Sequence, residues 1–162
     1  ADMEVLEKVA ACLQQTGADC VYGDLHYVSP DLRTVARNWV SGEYRAGQFT
    51  RGWHPPHPSF FVKRSVYQQH GLFHRDLPIA ADFELMLRFL EKHRCSVAYL
   101  PEVLVKMRTG GASNRSLRNI WKANRECYQA WRINGYNPWT AAVATARNPL
   151  SKLNQLRTRG CP

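Results

Sequence analysis

Apolar and polar positions follow two different periods along this chain, and the switches between them mark its elements. After Asp2, the stretch MEVLEKVAACLQQTG repeats Val5, Val9 and Leu13 at helical spacing, and Gly17 supplies a stop, which predicts a helix. Cys20, Val21 and Tyr22 then form a short β-prone run ahead of Gly23 and Asp24, and residues 25–28 form a second. A helix followed by strands is the pattern of an α/β fold. Residues 30–58 keep no single period. TVARNWV is strand-like, but EYRAGQFTRGWHPPHP mixes glycines, histidines and prolines, and the whole reads as a long loop with one short helical turn.

SFFVK is a compact apolar strand, SVYQQHG a short helix closed by Gly71, and GLFHRDLPIA a connection into the next helix. That helix, within IAADFELMLRFLEKHR, reads as amphipathic with Asp82 and Glu84 in its first turn. CSVAYLPE and VLVKMR predict two further short strands. From Ser116 the pattern lengthens: Leu117, Ile120, Trp121, Asn124, Tyr128 and Trp131 share one helical face, and Arg118, Lys122, Arg125, Gln129 and Arg132 the opposite one. Asn134-Gly135 stops this helix, Asn137-Pro138 starts another, and Asn148-Pro149 starts a last one, LSKLNQLRTR. There is no internal repeat.

With 162 residues and 44% hydrophobic side chains, the chain is long enough for one sizeable core. Five cysteines, odd in number and without a C-x-x-C pair, predict neither a disulfide framework nor a zinc site and fit a reducing compartment. No apolar run approaches the roughly 18 to 20 residues of a membrane span, so the expected location is cytoplasmic, with peripheral contact at the inner face of the membrane left open. Charge changes the picture more. Residues 115–162 hold nine Lys or Arg against one acid, Glu126, and so carry +8 of the formal +9, while residues 1–114 are nearly neutral. A basic final third on a neutral body predicts a surface for an anionic partner: membrane, phosphorylated ligand or nucleic acid. The expected division is therefore 1–114 and a helical basic tail, 115–162.

The order of segments carries the sharpest signal. CVYGD, then HPSFFVKRSVYQQHGLF, then IAADFELMLRFL, then YLPEVLVKMRTGGASNRS resembles the second half of the family 2 glycosyltransferases. The resemblance covers most of residues 1 to about 135, and its specificity lies in the combination. It implies a partial GT-A (Rossmann-like) fold with a mixed sheet. It also implies an inverting transfer of a sugar from a nucleotide-diphosphate sugar to an acceptor hydroxyl, in polysaccharide or glycolipid synthesis. The catalytic base of that family falls on Asp82, where the usual Glu-Asp pair reads Ala81-Asp82. The chemistry suits a carboxylate at a helix N-terminus, which takes the hydroxyl proton as the oxygen attacks the anomeric carbon opposite the leaving diphosphate. The plain alternative is that Asp82 caps its helix.

Around Asp82, Glu84 is expected either in solvent or in the acceptor pocket. His57 is read either as a substrate contact or as a structural histidine in a proline-braced loop. Asp24 sits where an α/β sheet places ligand contacts beyond a strand's carboxyl end, with a plain Gly-Asp turn as its rival. Arg108, with Thr109, Gly110, Gly111, Ser113 and Asn114, forms a basic loop suited to phosphate oxygens. The Asp-x-Asp that holds Mg or Mn in the resembled enzymes is nowhere in the sequence. The expectation is therefore the C-terminal portion of a longer transferase, inactive or nearly so alone because little would stabilise the departing diphosphate. Such a portion binds no metal itself and is prone to self-association through the surface where the missing half belongs. The competing classes are a non-catalytic acceptor- or membrane-binding domain and a nucleic-acid module; against the latter stands the lack of any helix-turn-helix, zinc-finger or RNP-like pattern.

Overall fold

A computed structural model of the chain describes residues 3–109 and 117–157. They form two compact units whose segments interleave in sequence: a sheet unit from 3–45, 55–72 and 93–109, and a helical unit from 46–54, 73–92 and 117–157. Residues 46–54 and 73–92 thus group with the basic tail, whereas the expected division ran at 114. The described residues are mixed α/β, with a four-stranded mixed sheet and five α-helices.

In the sheet unit, helix α1 (Met3–Thr16) lays its Val5, Val9 and Leu13 stripe against Val21 and Leu104, with Phe61, Ala98, Leu100 and Val105 around them. Strand β1 (Cys20–Val28) is the centre of the sheet. Along one edge it pairs in parallel with β4 (Val97–Arg108). Its other edge is shared by two antiparallel strands, β3 (Phe60–Val62) opposite Cys20, Val21 and Tyr22, and β2 (Val35–Trp39) opposite 25–28. Helix α2 (Arg64–His70) follows β3 and closes at Gly71 as expected.

Two expected breaks are absent. Gly23-Asp24 lies in the middle of one strand, and CSVAYLPE and VLVKMR are one strand rather than two. The cause is a slip in register: Leu100 lies opposite Gly23, Val103 opposite Asp24 and Val105 opposite Leu25. Pro101, which has no amide to donate, falls inside this bulge, where no ladder bond is demanded of it. The bulge also crowds β1. A Cβ on residue 23 would stand 2.5 Å from Leu104 Cγ and 2.8 Å from the Glu102 carbonyl oxygen, so the position admits only glycine.

The helical unit holds a 3-10 turn (Gln48–Arg51), α3 (Ala81–Leu87) running into a π-helical turn (Arg88–Lys92), α4 (Leu117–Ile133) and α5 (Pro138–Arg157). Phe49, Phe83, Trp131 and Tyr136 form its aromatic centre, with ring centroids 4.6 to 6.4 Å apart along the chain of contacts. The expected amphipathic helix at 82–92 is instead buried on every side, from Phe83 through Glu91. Its charges made it read as half-exposed, but Glu84, Arg88 and Glu91 each have an internal partner.

The long helix also differs from its predicted faces. Trp131 is fully buried beside Ala130, whereas Trp121, expected on the same face, is 66% exposed. Gly135, at φ +88°, ends α4 as anticipated. Asn148-Pro149 does not begin a new helix. The main chain of α5 continues through it.

Candidate functional site

Asp82 stands in the first turn of α3, after the connection that ends Pro78-Ile79-Ala80. The helix has Ala80 at its N-cap position, which offers no side-chain cap. The amides just ahead of the helix are held from elsewhere: Glu126 of α4 accepts from Ile79 N at 2.7 Å and from Ala80 N at 2.9 Å through Oε2. Those two amides lie ahead of Asp82, which stands at the second helical position and meets a first-turn amide of its own. Its Oδ1 accepts from the next amide, Phe83 N, at 2.8 Å, and the residue is half-buried at the mouth of a segment that is otherwise interior.

Glu84 is the reverse case. It is completely buried, and its carboxylate takes both arms of the Arg88 guanidinium, Nε at 2.9 Å and Nη2 at 3.1 Å, one turn further on. Asn134 Nδ2 donates to the same oxygen at 3.0 Å, and His74 Nε2 lies 3.8 Å away. The expectation that Glu84 faces solvent or an acceptor pocket is corrected by this geometry: a planar fork and an amide saturate it, and it ties α3 to the end of α4. Glu91 does similar work in the π-turn, accepting from Gly47 N at 2.9 and 3.1 Å and from Phe49 N at 3.4 Å.

In the sheet unit, Asp24 is buried within β1 rather than placed at a strand end or in a turn. Its Oδ1 accepts from Ser41 N at 2.9 Å and from the Tyr99 hydroxyl at 2.8 Å. Burial pushes the Tyr99 phenol upward in pKa, and the Asp24 bond adds to the shift, so Tyr99 remains the donor. The Gly23 carbonyl beside it accepts from Ser41 Oγ at 3.1 Å and Ser59 Oγ at 2.8 Å. Ser59 closes the 3-10 turn His57–Ser59, which brings an exposed His57 to the same stretch of β1. Arg108 is exposed at the end of β4, opposite Val28. Ser113 and Asn114 lie outside the described residues.

Sequence reasoning missed Glu126 as a site-organising group, although its signal was present: it is the one acid in 115–162. It borders an open groove of about 290 Å³ in the helical unit, together with Asp76, Pro78, Lys122, Arg125 and Gln129. Among the described residues, no three His, Cys, Asp or Glu side chains gather as a metal site. Comparison with family models, with curated proteins and with solved structures finds no match in any of the three.

Proposed function

We propose that this chain forms the acceptor-side portion of an inverting glycosyltransferase of the GT-A type, with Asp82 as its catalytic base. The observation that carries the reading is the placement of Asp82. It is the half-exposed carboxylate at the head of a segment whose following nine residues, 83–91, are buried. The order of motifs from CVYGD to RTGGASN and the mixed sheet centred on β1 support the same reading.

In this account Asp82 accepts the proton of an acceptor hydroxyl while that oxygen bonds to the anomeric carbon and the bond to the nucleoside diphosphate breaks on the opposite face. General base catalysis of this kind is worth about a hundred- to ten-thousand-fold in rate. His57 and Arg108, both exposed in the sheet unit, are the substrate-binding candidates that the resemblance gives there, whereas Asp24 is taken up by its bonds within β1. The divalent ion implied by the resemblance, Mg or Mn, is assigned no ligand in this chain, and the role proposed for its residues is deprotonating and orienting the acceptor.

The test is the stereochemistry of turnover. The full-length protein, given nucleotide-sugar donors, Mn and hydroxyl acceptors, releases nucleoside diphosphate and yields a product of inverted anomeric configuration by NMR. A product of retained configuration, or no consumption across a donor panel, removes the proposal.

A further inference from the structure

We infer that the outer face of α4, with the head of α5, is a docking surface for an anionic lipid bilayer. This inference does not rest on the catalytic reading. Helix α4 turns Glu126, Ala130 and Trp131 inward, and Asn134 just after it is buried as well. Its opposite side carries Trp121, Arg125, Tyr128 and Arg132 at i, i+4, i+7 and i+11, a single stripe that alternates aromatic and cation. The Arg125 guanidinium lies 6.0 Å over the Trp121 ring, and Lys122 flanks the stripe with its side chain half-exposed. Ile120 and Ile133 are exposed near the two ends of α4, and Trp139, in the first turn of α5, is 79% exposed.

Charge and apolarity together select the occupant. Glu126 is the one acid in 115–162 and is buried with Oε2 bonded to two amides and Oε1 4.0 Å from Lys122, so the exposed carboxylate bordering this face is Asp76, which Lys122, Arg125 and Arg132 outnumber. Each Lys or Arg near anionic headgroups adds about 1 kcal/mol, and tryptophan and tyrosine settle at the headgroup level. Phosphates of a nucleic acid would satisfy the cations equally well but give exposed Ile120 and Ile133 nothing to bury against. The boundary between headgroups and acyl chains takes both. No helix among the described residues is long and apolar enough to cross a membrane, so the contact lies on the surface.

The experiment is co-sedimentation of the 162-residue chain with vesicles of phosphatidylcholine alone or mixed with phosphatidylglycerol, at low and at raised salt. The mixed vesicles are expected to bind about tenfold more tightly or better, with the preference shrinking as salt screens it. Trp121→Ala is expected to weaken binding several-fold, and the pair Lys122→Glu, Arg125→Glu about tenfold or more, with circular dichroism unchanged. The same charge reversal at exposed Arg33 and Arg75 is expected to cost far less. Equal binding to both vesicles, equal losses from the two charge-reversed pairs, or binding to DNA without binding to vesicles would each overturn the inference.

Discussion

The sheet unit and the helical unit use their glutamates in opposite ways. In the sheet unit Glu4, Glu7, Glu43 and Glu102 are exposed, Asp24 is the buried acid, and main-chain groups are satisfied chiefly by strand pairing. In the helical unit Glu84, Glu91 and Glu126 are buried, and each holds what the helices leave over: a guanidinium, the amides of the Gly47 loop, and the amides ahead of α3. A ladder pairs every strand residue it includes, whereas connections and helix ends carry amides that need outside partners. Turning the carboxylates inward answers that need and strips negative charge from the outer surface. The helical unit is consequently more basic outside than its formal charge implies. It also leaves Asp82, half-buried in the first turn of α3, in a setting unlike that of the buried glutamates.

The comparison breaks most sharply at Glu84. Glu84→Ala leaves Arg88 buried without its counter-ion, and the expected loss is about 3 to 5 kcal/mol of stability in denaturant melts, with replacement of both partners by apolar residues costing less than the single change. Glu126→Ala comes next: two amides lose a charged acceptor, for an expected loss of about 1.5 to 3 kcal/mol. Faster hydrogen exchange at the amides of Ile79 and Ala80 would place the damage there.

The sheet unit supplies the smallest effect. Asp19 accepts from Ser96 N at 2.9 Å and Ser96 Oγ at 2.7 Å, and the hydroxyl bond, ahead of the amide bond and of nearby Lys63, holds its pKa below the ordinary 3.8. A lowered folded-state pKa means that the contribution is present above the unfolded value and is lost as pH falls through the folded one. Asp19→Asn is therefore expected to flatten the acid limb of the stability curve below about pH 4, and by less than about 1 kcal/mol because the group is largely solvated.

Much of the sheet unit was legible in the sequence, because α1, β3 and α2 are local patterns with clear ends. Its misread points were Gly23-Asp24 and Pro101, which look like turn residues but answer to a close approach of β4 that only the paired strands reveal. The helical unit was harder to read. Glu84, Arg88 and Glu91 resemble a polar helix face until their partners, Asn134 and Gly47 among them, are known, and those partners lie more than forty residues away in sequence. The same distance hid Glu126, whose target amides precede it by nearly fifty positions. Trp121 and Trp131 differ by ten residues, close to three turns, but the shortfall of about 80° around the helix is enough to set one outward and one into the core. Of the candidate site, Asp82 was singled out from its motif, whereas its bond to the Phe83 amide and the Glu126 bonds just ahead of it came only from the fold.

The most direct measurement is turnover of donor sugar by the full-length protein, wild type against Asp82→Asn, with Mn or Mg present and folding and donor affinity measured for both. The account predicts a fall of about a hundred- to ten-thousand-fold in rate with stability and donor binding unchanged. Near-normal turnover by Asp82→Asn would contradict it and return that carboxylate to a local role in the first turn of α3.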